Sequence, residues 1–374
     1  MMSDPKVAQR RMRIAYLSLQ AVVEGQDSWA AVTEPIKGFE AFGWQVDRYF
    51  VTYPEAAPGP LGRLAEMYRV RRRLAAAIEG YDLLYVRAHP MAYRAATAAR
   101  RAGVPVVQEC NGPYEDLFIA WPVTRFARPL FEHLQRRQYR DALVIISVAE
   151  GLTAWLAEDT GNPNVVTNGN GANTDVFTPD ALRMEGLPER YAVFFGQFPA
   201  WQGIPTLLSA VRSAQWPVGL SLVFVGDGSL RPEVERAVAE MPDRVRYVGK
   251  LPYADVARVA SHALLSFVPM VAPERDAKFS PLKLYESMAC GVAVVASDTV
   301  GISEVVRKHD CGILVPPGDA GALVGAVSLL AEDPARAAQM GSRGREAAVT
   351  CYSWDTRARQ RAEIIKRALA SRER

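Results

Sequence analysis

The chain has 374 residues, 49% of them hydrophobic and 23% charged, with a formal net charge of +3. Such a length outgrows one hydrophobic core and predicts two domains, and the composition is that of a globular protein, which excludes a disordered chain. So small a charge gives no reason to expect a nucleic-acid partner, and no run approaches the roughly 18 uninterrupted apolar residues of a membrane span.

The chain opens on a basic tail and a short apolar run, Ile14 to Leu19. It reads as a frayed end before a first buried strand, not as a signal peptide. Short apolar runs then alternate with amphipathic stretches, the pattern of βαβ units and parallel sheets. Strands are predicted at Arg13–Leu19, Gln45–Val51, Asp82–Val86, Pro105–Gln108, Ala142–Ser147 and Val165–Thr167. Helices are predicted between them at Trp29–Phe42, Leu61–Ile78, Ala92–Ala102, Phe126–Tyr139 and Ala149–Glu158. Asp175–Pro188 holds two prolines and no apolar period, and reads as a linker. The rhythm restarts with strands at Tyr191–Phe195, Ser221–Val225, Arg244–Tyr247, Leu264–Val268, Val292–Ala296 and Gly312–Val315, and ends in a basic amphipathic helix, Trp354–Ala370. The fold class that follows is α/β, with two doubly wound parallel sheets facing each other across a cleft. Ligands of such sheets bind beyond the carboxyl ends of the strands.

Four cysteines, Cys110, Cys290, Cys311 and Cys351, lie far apart with no paired spacing. They are read as reduced thiols of a cytosolic protein.

The loop and helix from Phe279 to Asp298 carry the most chemistry. Ser280 is expected as the N-cap and Pro281 as the first helical residue, with Leu282 following, and Cys290-Gly291 ends the helix after about two and a half turns. Lys283 falls in the first turn, where the macrodipole disfavours a cation unless an anion shares the site. Glu286 lies one turn deeper on the same face. Lysine for a diphosphate and glutamate for a ribose diol would together hold a nucleoside diphosphate. The competing reading is an exposed ion pair.

Other strand ends point the same way. Gly196 and Gln197 close one strand, with Gln202 in the loop beyond; Gly226 and Gly228 close the next; Lys250 and Leu251 follow a third, at the height of a nucleobase. Glycine at such ends lets a phosphate approach the backbone. In the first half, Gly25, Gln26 and Asp27, then His89, then Glu109 and Asn111, then Asn168, occupy the loops where an acceptor would enter. For His89 a satisfied loop histidine is the competing reading.

Together these segments resemble the retaining glycosyltransferases of family 4, over nearly the whole chain. The specific part is Ser280–Asp298 followed by Gly301–Val306 and Gly312–Pro316; Asn168–Phe177, Phe224–Glu235 and the closing helix support it. The resemblance implies the GT-B fold, two facing Rossmann-like domains at residues 1–178 for the acceptor and 186–350 for the nucleotide sugar. The last helix, about 354–374, would pack back onto the first domain. It further implies sugar transfer from a nucleotide diphosphate sugar with retention, the sugar nucleotide being a co-substrate, so that no cofactor is expected. The product would be a glycan, exopolysaccharide or glycolipid.

In that family two glutamates stand eight positions apart. The second matches Glu286, but the first falls on Lys278, beside Phe279, with Glu274 and Asp276 upstream. The family's arginine and lysine on the diphosphate fall on Gln197 and Gln202, so Lys278 and Lys283 are the cations left to serve it. Lys278, Lys283, Glu286, Asn111 and His89 are therefore the candidate catalytic residues. A non-catalytic relative that binds a sugar nucleotide and regulates or scaffolds is the alternative. No Asp-x-Asp occurs, and no metal is expected. The stretch Trp121–Phe131, with Arg136, Arg137, Arg140 and the arginines at 69 and 71–73, reads either as a seat on anionic lipid or as a solvated helix face. The first would place a cytoplasmic protein peripherally at the inner membrane face and suit a lipid-linked acceptor; the acceptor is expected to be a saccharide or lipid-linked.

Overall fold

A computed structural model describes residues 11–24, 27–53, 58–271 and 278–372. Two sheets of six strands each are entirely parallel. The first contains β1 (Arg13–Ser18), β2 (Gln45–Phe50), β3 (Leu83–Arg87), β4 (Val106–Cys110), β5 (Val144–Ser147) and β6 (Val165–Thr167), in the order β2-β1-β3-β4-β5-β6. The second contains β7 (Tyr191–Gln197), β8 (Ser221–Asp227), β9 (Val245–Gly249), β10 (Leu265–Val268), β11 (Ala293–Ser297) and β12 (Gly312–Val315), in the order β12-β11-β10-β7-β8-β9. Central strands such as β1, β3, β7 and β10 are buried almost throughout, as a sheet covered on both faces requires.

Each sheet is sandwiched between helices that bury one apolar stripe. Gly38, on the helix Asp27–Ala41, meets Ala358 of the last helix, Trp354–Arg372, so closely that a Cβ on Gly38 would lie 2.1 Å from that of Ala358. The last helix thus returns to the first sheet, with Ala362 and Ile365 buried in its core beside Ile14, Val107 and Ile146. No helix or strand forms within 175–188.

The expected elements are present, with edges that shift for identifiable reasons. β4 begins at Val106 because Pro105 has no N–H to give, although its carbonyl accepts from Leu84 N at 2.9 Å. β7 runs on to Gln197 because Gly196 and Gln197 pair with Gly226 and Asp227 of β8 beyond the apolar run. The larger correction is at the helix Leu282–Ala289. Pro281, not Ser280, holds the cap position, in an extended backbone and with no side-chain cap. The Ser280 hydroxyl is drawn away to the Tyr285 hydroxyl, 3.1 Å distant. Gly291 takes the left-handed conformation, φ +70°, that ends the helix.

Candidate functional site

The helix Leu282–Ala289 starts after β10 and lies almost wholly inside the protein. Lys283 and Glu286 are both buried, which removes the exposed-pair reading. The Lys283 ammonium donates to Gln202 Oε1 at 2.6 Å and stands 4.0 Å from the centre of the Phe194 ring. A Cβ on Gly196 would come within 3.3 Å of that ammonium, so glycine at the turn of β7, φ +116°, leaves room for it. A buried ammonium is costly unless charge or dipoles answer it. An amide oxygen and a ring face contribute about 1–3 kcal/mol each, and the positive end of the helix works against them.

The nearby glycines have a packing reason of their own. A Cβ on Gly226 would meet the Gly196 carbonyl at 1.8 Å, and one on Gly228 would meet Phe198 N at 2.7 Å. Gln197 and Lys250 are exposed at their strand ends, while Leu251 and Phe279 pack partly into the core that holds Leu284 and Tyr285.

Glu286 lies beside the Tyr253 hydroxyl. Burial, then the carboxylates of Glu286 and Glu34, push that phenol well above its ordinary pKa. The Tyr253 ring packs on Trp29 of the first helix at 5.2 Å and edge-on to Phe177 at 5.0 Å. Glu34 is buried, accepting from Lys37 Nζ at 2.7 Å and from Asn173 Nδ2 at 3.2 Å. Here the two sheet units touch.

Lys278 and Lys283 have different partners. The Lys278 ammonium is 4.5 Å above the Trp155 ring, on the helix Glu150–Thr160 of the first sheet. The chain between Asn168 and the second sheet is pinned as well. Asn170 Nδ2 donates to the Ser280 carbonyl at 2.7 Å, and Arg357 Nε donates to the Asn170 carbonyl at 3.2 Å.

On the first sheet, Glu109 at the end of β4 is the centre of a buried network. It accepts from Tyr85 at 2.6 Å, Arg87 at 3.1 Å, Asn111 at 3.1 Å and Arg361 at 3.2 Å. Burial alone would raise its pKa, but Arg361 and Arg87 outweigh that and hold the carboxyl below its ordinary value. Asn168 Oδ1 accepts from Arg361 Nε at 2.9 Å. Glu109 and Asn168, expected on the acceptor side, thus anchor the last helix, and Asn111 borders the loop they support. His89 Nδ1 accepts from Met91 N at 3.2 Å, and burial lowers its pKa to about 4, so it is neutral at pH 7. Burial also raises Cys110 and Cys311 to about 11 and Cys290 to about 12, which leaves them thiols. Gly25, Gln26, Glu274 and Asp276 fall outside the described residues, and Asp27 opens the first helix.

Sequence reasoning missed Trp29, Glu34, Tyr253 and Arg361. Only Arg361 left a usable signal: it stands four residues after Arg357 on the basic last helix, hence on one face. Among the described residues, no three His, Cys, Asp or Glu side chains gather as a metal-binding group.

Residues 189–333 match the family model for glycosyl transferases group 1, and residues 44–171 match the glycosyl transferase 4-like domain. The two matches together span most of the chain, which belongs to the group 1, family 4 glycosyltransferases. Its activity is glycosyl transfer. The chain is 27% identical to the GDP-mannose-dependent alpha-(1-6)-phosphatidylinositol monomannoside mannosyltransferase of Mycolicibacterium smegmatis, over 71% of this chain and 72% of that one. Among solved structures it is similar to a sucrose-phosphate synthase of Thermosynechococcus elongatus, with TM-score 0.79, 25% identity, and coverage of 96% of this chain and 100% of the other. The Anabaena protein HepE, solved with UDP and glucose, shares the fold at TM-score 0.71 and 19% identity, over 95% of this chain and all of that one. The α/β architecture of two facing parallel sheets is the GT-B fold.

Proposed function

We propose that this glycosyltransferase moves a sugar, with retention, from a nucleoside diphosphate sugar to a saccharide or lipid-linked acceptor, and needs no metal. The observation that carries this reading is the buried pair on one helix face, Lys283 against Gln202 and Gly196, and Glu286 one turn deeper. Their spacing suits a diphosphate and the ribose next to it. The M. smegmatis relative is named for its use of a nucleoside diphosphate sugar, which has both groups. Residues 1–178 would receive the acceptor and 186–350 the donor.

In this mechanism the chain positions and stabilises charge. Lys283 and the amino end of its helix answer the negative charge that grows on the departing diphosphate. The acceptor hydroxyl attacks from the face the diphosphate leaves, and a diphosphate oxygen takes its proton, so no protein base is needed. Glu286 fixes the nucleoside, which aligns the sugar for attack. A neutral His89 and the Asn111 amide would act as polar contacts on the acceptor side.

Support for a lipid-linked acceptor comes from the first half of the chain. Phe126 is 85% exposed, Val123 65% and Leu61 83%, more than a solvated helix face needs. Arg128 and Arg136 already pair with carboxylates, so the apolar side chains are the stronger part of such a contact. Among the described residues no helix is long and apolar enough to cross a membrane.

The test is a thermal-shift panel of nucleotide sugars. A donor at about 100 times its dissociation constant should stabilise the fold by about 2.7 kcal/mol. Glu286→Ala should abolish the shift; a full shift in that variant refutes the assignment.

A further inference from the structure

Lys278 and Lys283 stand five residues apart and face opposite ways. The Lys283 ammonium is enclosed within the unit of the second sheet, by Gln202 and the Phe194 ring. The Lys278 ammonium reaches the first unit, where it stands 4.5 Å over the Trp155 ring. Just beyond it the Ser280 carbonyl accepts from Asn170 Nδ2 at 2.7 Å, which holds this turn of chain against the first unit.

Trp155 borders the strand ends of the first sheet. Its ring packs edge-on to Tyr114 at 4.9 Å, and Tyr114 closes the loop Asn111–Tyr114 that follows β4. Ligands of parallel sheets enter at such ends. The charges there do not cancel. Asp159, one turn beyond Trp155 on its helix, accepts from the Tyr114 hydroxyl at 2.7 Å and from Arg136 at 3.0 and 2.8 Å. Both of its oxygens are thereby engaged, and one carboxylate is matched to one guanidinium. Lys278 is a cation beyond that pair. Among the described residues no carboxylate comes within ion-pair distance of its ammonium. A ring face steadies an ammonium without satisfying its three N–H bonds. Lys278 and Trp155 are both only partly buried, so those bonds are open to a ligand.

We propose that Lys278, steadied on Trp155, seats an oxyanion carried by the acceptor, a phosphate or a carboxylate, and so selects anionic acceptors over neutral ones. The seat rests on the reading of residues 1–178 as the acceptor side. Lys278, expected on the donor diphosphate, leaves that task to Lys283 and binds the other substrate. Trp155 is a positioning residue, because it acts through Lys278. A lysine is a compact charge with rotatable donors, so the seat takes either oxyanion.

The experiment follows nucleotide release from UDP-glucose, UDP-glucuronate and GDP-mannose, with acceptors in matched sets. The soluble set is glucose, glucose 6-phosphate and glucuronate; the lipid set is octyl glucoside and polyprenyl-diphosphate-linked glucose in micelles. The unaltered protein should use an anionic acceptor with kcat/KM about 10- to 100-fold above its neutral counterpart, the worth of a hydrogen bond to a charged group. The member preferred separates phosphate from carboxylate, and a free group from a lipid-borne one. Lys278→Gln should erase most of that ratio by raising KM for the anionic acceptor, Lys278→Arg should keep it, and Trp155→Leu should lose part of it. A structural loss lowers both acceptors alike, so an unchanged ratio in Lys278→Gln overturns the seat. So does a set in which no anionic acceptor is preferred, or a preference that follows the carboxylate of UDP-glucuronate instead. If no donor is turned over, the nucleotide-sugar reading fails. The seat is then judged by calorimetry: glucose 6-phosphate must bind more tightly than glucose and lose that advantage in Lys278→Gln, or the seat falls as well.

Discussion

The Arg361 guanidinium lies 3.2 Å from the Glu109 carboxylate, across 252 residues of sequence, and both side chains are buried. This pair ties the last helix of the chain to the end of β4, beside the loop that carries Asn111. Removing one partner leaves the other charge buried without its counter-ion. Arg361→Met should therefore cost about 3–5 kcal/mol of stability, read as a lower urea midpoint at unchanged slope. A loss below about 1 kcal/mol would mean that Arg87 and Tyr85 suffice for Glu109.

Acid should undo the same pair. The Glu109 carboxyl is held below its ordinary value, so the folded state releases this proton more readily than the unfolded one. Its contribution is then complete above the ordinary carboxyl range and is lost as pH falls through the depressed folded value. Unfolding midpoints measured from pH 6 downward should show this loss, and Glu109→Gln should flatten it.

His89 titrates in the same sense but in a higher window. Its folded pKa of about 4 lies below the ordinary 6.5, so the unfolded chain binds the proton first as pH falls. Stability tied to His89 is complete above 6.5 and is lost between 6.5 and 4. In His89→Gln the melting temperature should fall less across that interval. The pH dependence of kcat/KM should show no His89 inflection near 6.5, and an inflection there that disappears in His89→Gln would contradict a neutral histidine.

Lys283 should matter to transfer more than to folding. Lys283→Met keeps most of the packing against Phe194 but removes the charge proposed to face the donor diphosphate. We expect kcat/KM to fall by about 10²–10³, with the thermal shift by nucleoside diphosphates reduced. Treatment with EDTA should leave the rate of the unaltered protein unchanged; a strict need for added Mn²⁺ would contradict metal-independent transfer.

Gly38 sets how closely the last helix approaches the first. With 2.1 Å between the Cβ it would acquire and that of Ala358, Gly38→Ala must push the helices apart. The cost should be about 1–3 kcal/mol, and Ala358→Gly in the same chain should recover part of it. No recovery would show that the strain lies elsewhere.

Most central strands were legible because both faces of the sheet are covered there, so strands such as β1, β3 and β10 are short apolar runs bounded by turn residues, whereas the edge strand β2 alternates polar and apolar residues. Val165–Thr167 and Gly312–Val315 match their predicted bounds. The helix after β10 was also legible, from its apolar face and Cys290-Gly291. Its cap was not, because Ser280 gives its hydroxyl to Tyr285 and its carbonyl to Asn170, partners 5 and 110 residues away.

The chain order of residues therefore determined the two parallel sheets and the helix that carries Lys283 and Glu286, since periodicity and turn chemistry are local. Tertiary structure alone decided which charges meet. Gln202 was a missing cation in the sequence and became the partner of one, 81 residues on. Glu109, expected on the acceptor side, meets Arg361 of the last helix, 252 residues on. Tyr253, Glu34 and Trp29 converge only when the two sheets face each other. A buried charge is governed by what surrounds it in space, and no local pattern records that.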